Sequence, residues 1–84
     1  MSYRPWLEEM ALRQMGGLPS EVFDVLTRAM VRICEDPYDR VLSMPVREDD
    51  PCERMAELGD LGFVEFRVDE AARLVRVYAL VWIG

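Results

Sequence analysis

The chain has 84 residues, sixteen of them acidic and ten basic, for a formal charge of −6; every basic residue is Arg, and Lys and His are absent. Such a chain supports one domain, spanning residues 1–84, with a modest core that buries only roughly 60–65% of the surface its unfolded form exposes, so a partner or second copy would help it. The composition excludes imidazole general bases, Lys Schiff bases and Walker-type phosphate loops, and its acidic balance repels nucleic-acid phosphates and favours a basic partner.

Ser2-Tyr3-Arg4-Pro5-Trp6-Leu7 reads either as a short strand or as the entry to a helix. Pro5 lacks an N–H, so a strand here lies at an edge or begins at that point. Glu8 to Met15 is predicted as a two-turn helix with acids at its N-terminal end, stopped by Gly16-Gly17. A second helix starts after Leu18-Pro19, with Ser20 expected to cap it. Val22, Leu26, Ala29 and Ile33, joined by Phe23, Met30 and Cys34, form its apolar stripe, whereas Asp24, Thr27, Arg28, Val31 and Arg32 mostly line the outer side. Glu35-Asp36-Pro37 ends it, because the residue before Pro disfavours helical geometry.

Between Asp39 and Pro51 the pattern is undecided, and Arg47 to Pro51 reads as a solvated, mobile loop. Its acids Glu48, Asp49 and Asp50 lack the spaced oxygen ligands and central Gly of a calcium loop, and neither metal nor cofactor is expected. Cys52 to Leu58 is a strand or, by the propensity of Glu53 to Leu58, a short helix; Gly59-Asp60-Leu61-Gly62 is a hairpin device. No apolar signal segment stands at the N-terminus and no run approaches the roughly 18 apolar residues of a membrane span. These features predict a soluble cytosolic protein whose thiols, Cys34 and Cys52, stay reduced rather than paired.

The last third carries the clearest signal. Two alternating runs, Phe63 to Asp69 and Arg73 to Trp82, flank the polar break Asp69-Glu70-Ala71-Ala72 and predict an antiparallel hairpin. Alternation puts Val64, Phe66 and Val68 on one face, and Phe63, Glu65 and Arg67 on the other. In the final strand it puts Val75, Val77, Ala79, Val81 and Ile83 on an apolar face against the second helix. Leu74, Arg76, Tyr78, Leu80 and Trp82 then share the mixed face. The expected architecture is α+β, a small antiparallel sheet packed on a helix pair. Phe63, Glu65, Arg67, Arg76, Tyr78, Leu80 and Trp82 form either a row of cross-strand pairs or an interaction patch for a partner polypeptide. The methionines Met10, Met15, Met30, Met44 and Met55 are read as core fillers.

Ala11-Leu12-Arg13-Gln14-Met15 followed by Leu18-Pro19, the helix ending in Glu35-Asp36-Pro37, and the closing runs Phe66 to Glu70 and Val75 to Leu80 together resemble the RelE/ParE superfamily of bacterial toxins from toxin–antitoxin modules. The resemblance spans nearly the whole chain and implies a first strand at Ser2 to Leu7, a strand at Arg54 to Leu58, and a sheet cupping two helices. It also implies an antitoxin-like partner or a homodimer. Ribosome-dependent members carry basic residues on the open sheet face, commonly an Arg early in the penultimate strand and another at the end of the last. Phe63 stands at the first place and Trp82-Ile83-Gly84 at the second. Phosphodiester cleavage needs positive charge on its developing dianion. The resemblance therefore implies a catalytically degenerate binding protein, with Arg67, Arg76 and Tyr78 as the candidate catalytic residues of the alternative, an mRNA endoribonuclease. A gyrase inhibitor of the ParE kind is the third reading.

Overall fold

The computed structural model describes residues 2–83. In chain order the elements are β1 (Arg4–Leu7), α1 (Glu9–Met15), α2 (Ser20–Glu35), β2 (Met44–Arg47), β3 (Asp50–Glu57), β4 (Gly62–Asp69) and β5 (Leu74–Trp82). The strands form one sheet in the order β1-β5-β4-β3-β2. β2 to β5 run as an antiparallel meander, while β1 lies parallel to β5 with Arg4 opposite Leu74 and Leu7 opposite Val77. The α+β layer is as the sequence implies, but the sheet is mixed. The C-terminal strand is interior rather than an edge, because β1 fills the row of hydrogen bonds that the hairpin leaves open.

One face of the sheet packs on the helices. Ala11 of α1 and Leu26 and Ile33 of α2 join Val64, Phe66, Val68, Val75 and Val77 in a single buried cluster. The stripe expected on α2 is correct at Val22, Leu26, Ile33 and Cys34, all buried, whereas Phe23 is exposed. Ser20 does not cap the helix. The cap position falls on Pro19, no side-chain bond is made there, and a hydroxyl already at the first helical position is poorly aimed at the orphan N–H groups.

Residues expected to form a mobile loop instead close the β2–β3 hairpin, with Arg47 opposite Asp50 and only Glu48 and Asp49 between the strands. β3 is a strand because it is paired on both sides, so tertiary pairing overrides the helical propensity of Glu53 to Leu58. The link from α2 to β2 is held by Arg54, only 3% exposed. Its guanidinium donates to Ser43 Oγ at 2.8 Å, the Ser43 carbonyl at 3.1 Å and the Pro51 carbonyl at 3.0 Å, while Ser43 Oγ donates to the Pro37 carbonyl at 2.8 Å. Neutral acceptors thus satisfy a buried cation.

The β4–β5 hairpin contains a bulge. Glu65 is opposite Ala79 and Phe66 is opposite Val77, so Tyr78 has no partner. One extra residue reverses the alternation beyond it. Val75 and Val77 face the helices as expected, but from there on Leu80, 2% exposed, takes the core side. Ala79 and Val81 pass to the open face, Ile83 is 74% exposed, and Trp82 keeps the parity of Leu80, opposite Gly62.

Candidate functional site

On the open face the hairpin register sets Arg67 directly opposite Arg76, with Trp6 of β1 on the far side of Arg76 and Glu53 of β3 on the far side of Arg67. The bulge aims Tyr78 along the same face, and its hydroxyl donates to Glu53 Oε1 at 3.0 Å across the intervening strand. Three of the expected residues, Arg67, Arg76 and Tyr78, are therefore brought together. Phe63 and Glu65 share their face; Leu80 is on the other side of the sheet, and Trp82 shares its parity. Leu80 leaves the expected patch because the bulge has turned it inward.

Two like charges facing each other are tolerated because each has its own counterion. Arg67 meets Asp50 at 2.7 Å, and Arg76 meets Asp69 at 3.0 Å and Glu8 at 3.4 Å, with its guanidinium carbon 5.9 Å from the Trp6 ring centroid. Arg47 reaches Glu53 at 3.1 Å from the sheet edge. The side-chain bond from Arg67 draws the Asp50 carboxyl below its usual range, and the Ala72 N–H, followed by Arg76, does the same to Asp69. Burial, then the bond to Glu53, raises the Tyr78 phenol. At neutral pH that phenol stays protonated and is unsuited to act as a base. What this face can do chemically is offer paired arginines, a locked tyrosine and surplus carboxylates; it has little free cation to place against a phosphate.

A second feature lies at the β1 edge, where Pro5, Trp6 and Leu7, α1 residues Leu12 and Met15, and α2 residues Leu26, Thr27, Met30, Val31 and Cys34 enclose an apolar groove of about 610 Å³. Reading the methionines as core fillers misses it. The usable signal was Val31 and Leu12, apolar side chains on the outward sides of two amphipathic helices. Both remain substantially exposed, as does Trp6.

A polar cluster joins distant segments next to the start of β1, where the Tyr3 N–H donates to the Cys34 carbonyl at 2.9 Å. Tyr3 donates to both Glu70 oxygens at 2.9 and 2.8 Å, Tyr38 donates to Glu70 Oε2, and Arg73 stacks 4.1 Å from the Tyr3 ring centroid. Cys52 Sγ lies 3.7 Å from the Tyr38 hydroxyl, and both Cys34 and Cys52 are free thiols. Separations of 67 and 32 residues leave no trace of this cluster in the sequence pattern. Among the described residues no cluster of His, Cys, Asp and Glu is arranged to hold a metal, and no helix is long and apolar enough to cross a membrane.

No protein-family model and no curated protein matches the chain. Among solved structures, it is similar to the Escherichia coli toxin RelE, in a mutant with two arginines replaced by alanine, in complex with a peptide of the antitoxin RelBc. The TM-score is 0.83, sequence identity is 22%, and the match covers 100% of this chain and 85% of the other. At that identity the likeness establishes the RelE-like fold.

Proposed function

We propose that this RelE-like chain works in a toxin–antitoxin type system in the cytoplasm as a catalytically degenerate module that binds protein. Its partner is an antitoxin-like polypeptide, with self-association as the variant for a chain lacking one. The observation that carries the reading is the apolar groove between β1, α1 and α2, whose rim leaves Trp6, Leu12 and Val31 exposed. An amphipathic segment laid there would cover side chains that otherwise remain in water. The E. coli neighbour holds an antitoxin peptide, which supports a partner of the same kind here. On the opposite face Arg47, Arg67 and Arg76 are each held by a carboxylate, which weighs against RNA cleavage.

A second reading, ribosome-dependent endoribonuclease, is favoured by one observation, the meeting of Arg67, Arg76 and Tyr78 on the open face. Expression in a bacterial host separates the two. The binding reading expects unimpaired growth, and purification of either a complex with a second polypeptide or a self-associated species by size-exclusion chromatography with light scattering. Leu12→Asp with Val31→Asp should return that species to monomer. Growth arrest relieved by Arg76→Ala, with a monomer at every concentration, would sink the binding reading in favour of the nuclease.

A further inference from the structure

Beyond the bulge, the open face carries an apolar lane that none of its ion pairs uses. Its first row sets Glu57 opposite Phe63 and Phe63 opposite Val81; its second sets Met44 opposite Met55, Met55 opposite Glu65 and Glu65 opposite Ala79. Val81 is 41% exposed and Met44 is 52% exposed, with Phe63 and Met55 half-buried between them. No helix among the described residues packs on this side of the sheet. Among the described residues Glu57 and Glu65 have no arginine within ion-pair distance, although every other acid of this face that borders an arginine is engaged with it. They are diagonal neighbours on adjacent strands, about 7–8 Å apart by sheet geometry.

We propose that this lane is a docking surface for a basic polypeptide segment, rich in Arg or Lys, distinct from the groove on the helix side. Charge decides the occupant. A phosphate backbone approaching Phe63 meets two carboxylates outside every ion pair of this face, Glu65 beside the neutral Tyr78 phenol and Glu57 in a shallow pocket it shares with Arg40, Met44 and Met55, whereas an Arg or Lys side chain lays its aliphatic stem on Phe63 and Met55 and brings its head to Glu57 or Glu65. The Phe63 ring adds an attractive face for the cation. Alternate apolar residues of the same segment cover Val81 and Met44, so one extended stretch satisfies both halves of the lane.

The test titrates the full chain with a labelled peptide alternating Arg and Leu, beside the same peptide with Glu for Arg and a labelled single-stranded oligoribonucleotide. Amide shifts of the unaltered protein are mapped by NMR in parallel. The Arg peptide should bind, more weakly as salt rises, with shifts centred on Met55, Phe63, Glu65 and Val81. The double variant Glu57→Gln, Glu65→Gln, placed on solvent-accessible positions, should weaken it about three- to tenfold. Binding of the Glu peptide as strong as the Arg peptide, tighter binding of the RNA, indifference to the double variant, or shifts centred on Leu12 and Val31 would each overturn the proposal. A monomer with no partner on the helix side would defeat the groove reading alone, since the mapping here reads the other face.

Discussion

At Gly62 the chain enters β4 with φ of 151°, and a Cβ added there would lie 2.0 Å from the Val81 carbonyl oxygen. Close approach of two backbones, rather than the turn alone, demands glycine at this position. Gly59, three residues earlier, has φ of 61° and nothing within 4 Å of an added Cβ. The pair makes a controlled comparison by urea unfolding. Gly62→Ala should cost about 3 kcal/mol or more, through clash and forced strand displacement, and Gly59→Ala about 1 kcal/mol, the strain of a left-handed conformation alone. Equal losses would refute the close-approach account. Tyr78 belongs to the same scale: as the unpaired residue of the bulge it decides the side on which every later side chain emerges.

Elements differ in how far their own residues specify them. α2 has its apolar stripe and its stop in the sequence, but its start is fixed by Pro19 and not by Ser20. Ser20→Ala should therefore change the unfolding free energy by less than ~0.5 kcal/mol, where loss of a true cap costs about 1 kcal/mol; a full loss measured in urea would restore the capping role. Both edge strands, β1 and β2, are four residues long and contain a proline, Pro5 and Pro45. The Arg4 N–H bonds to the Arg73 carbonyl, so by alternation Pro5 removes a donor from the free side of β1. Short edges with missing donors resist strand addition. Partners are accordingly expected to meet side-chain surfaces, the groove or the open lane.

On the scale of the molecule, carboxylate–phenol and carboxylate–guanidinium contacts tie the beginning of the chain to its end. Glu70 is drawn below the usual carboxylate range, first by the bond from Tyr38 and then by that from Tyr3, and Asp50 and Asp69 are lowered by their own partners. A carboxyl lowered on folding stabilises the fold above its unfolded pKa, and that contribution is lost as pH falls through the folded value. The three tyrosines Tyr3, Tyr38 and Tyr78 shift upward, by burial first and then by their carboxylate bonds. Their neutral form is favoured on folding, so their contribution is complete below the unfolded pKa and lost as pH rises through the folded one. Urea midpoints should be highest between roughly pH 5 and 9 and fall on both sides. Glu70→Gln should flatten the acid limb, and Tyr38→Phe the alkaline one. Unchanged limbs would mean the cluster contributes nothing to the pH dependence.

Periodicity and breakers were sufficient for β4, β5, α2 and the turn at Gly59 to Gly62, because each records a local rule: alternation, a helical stripe, or a backbone only glycine adopts. Absence of Lys and His likewise settled which chemistries the chain lacks. Alternation alone assigns Leu80 to the wrong face for a physical reason, since a bulge inserts one extra residue and leaves alternating apolar letters readable in either phase; only pairing with β4 fixes the phase. The parallel seat of β1 beside β5, the buried Arg54 and the meeting of Tyr3, Tyr38 and Glu70 depend on contacts between segments far apart in the chain. Local sequence carries no energy term for such contacts, so the tertiary structure alone decided the groove, the covered edge and the surplus carboxylates of the open face.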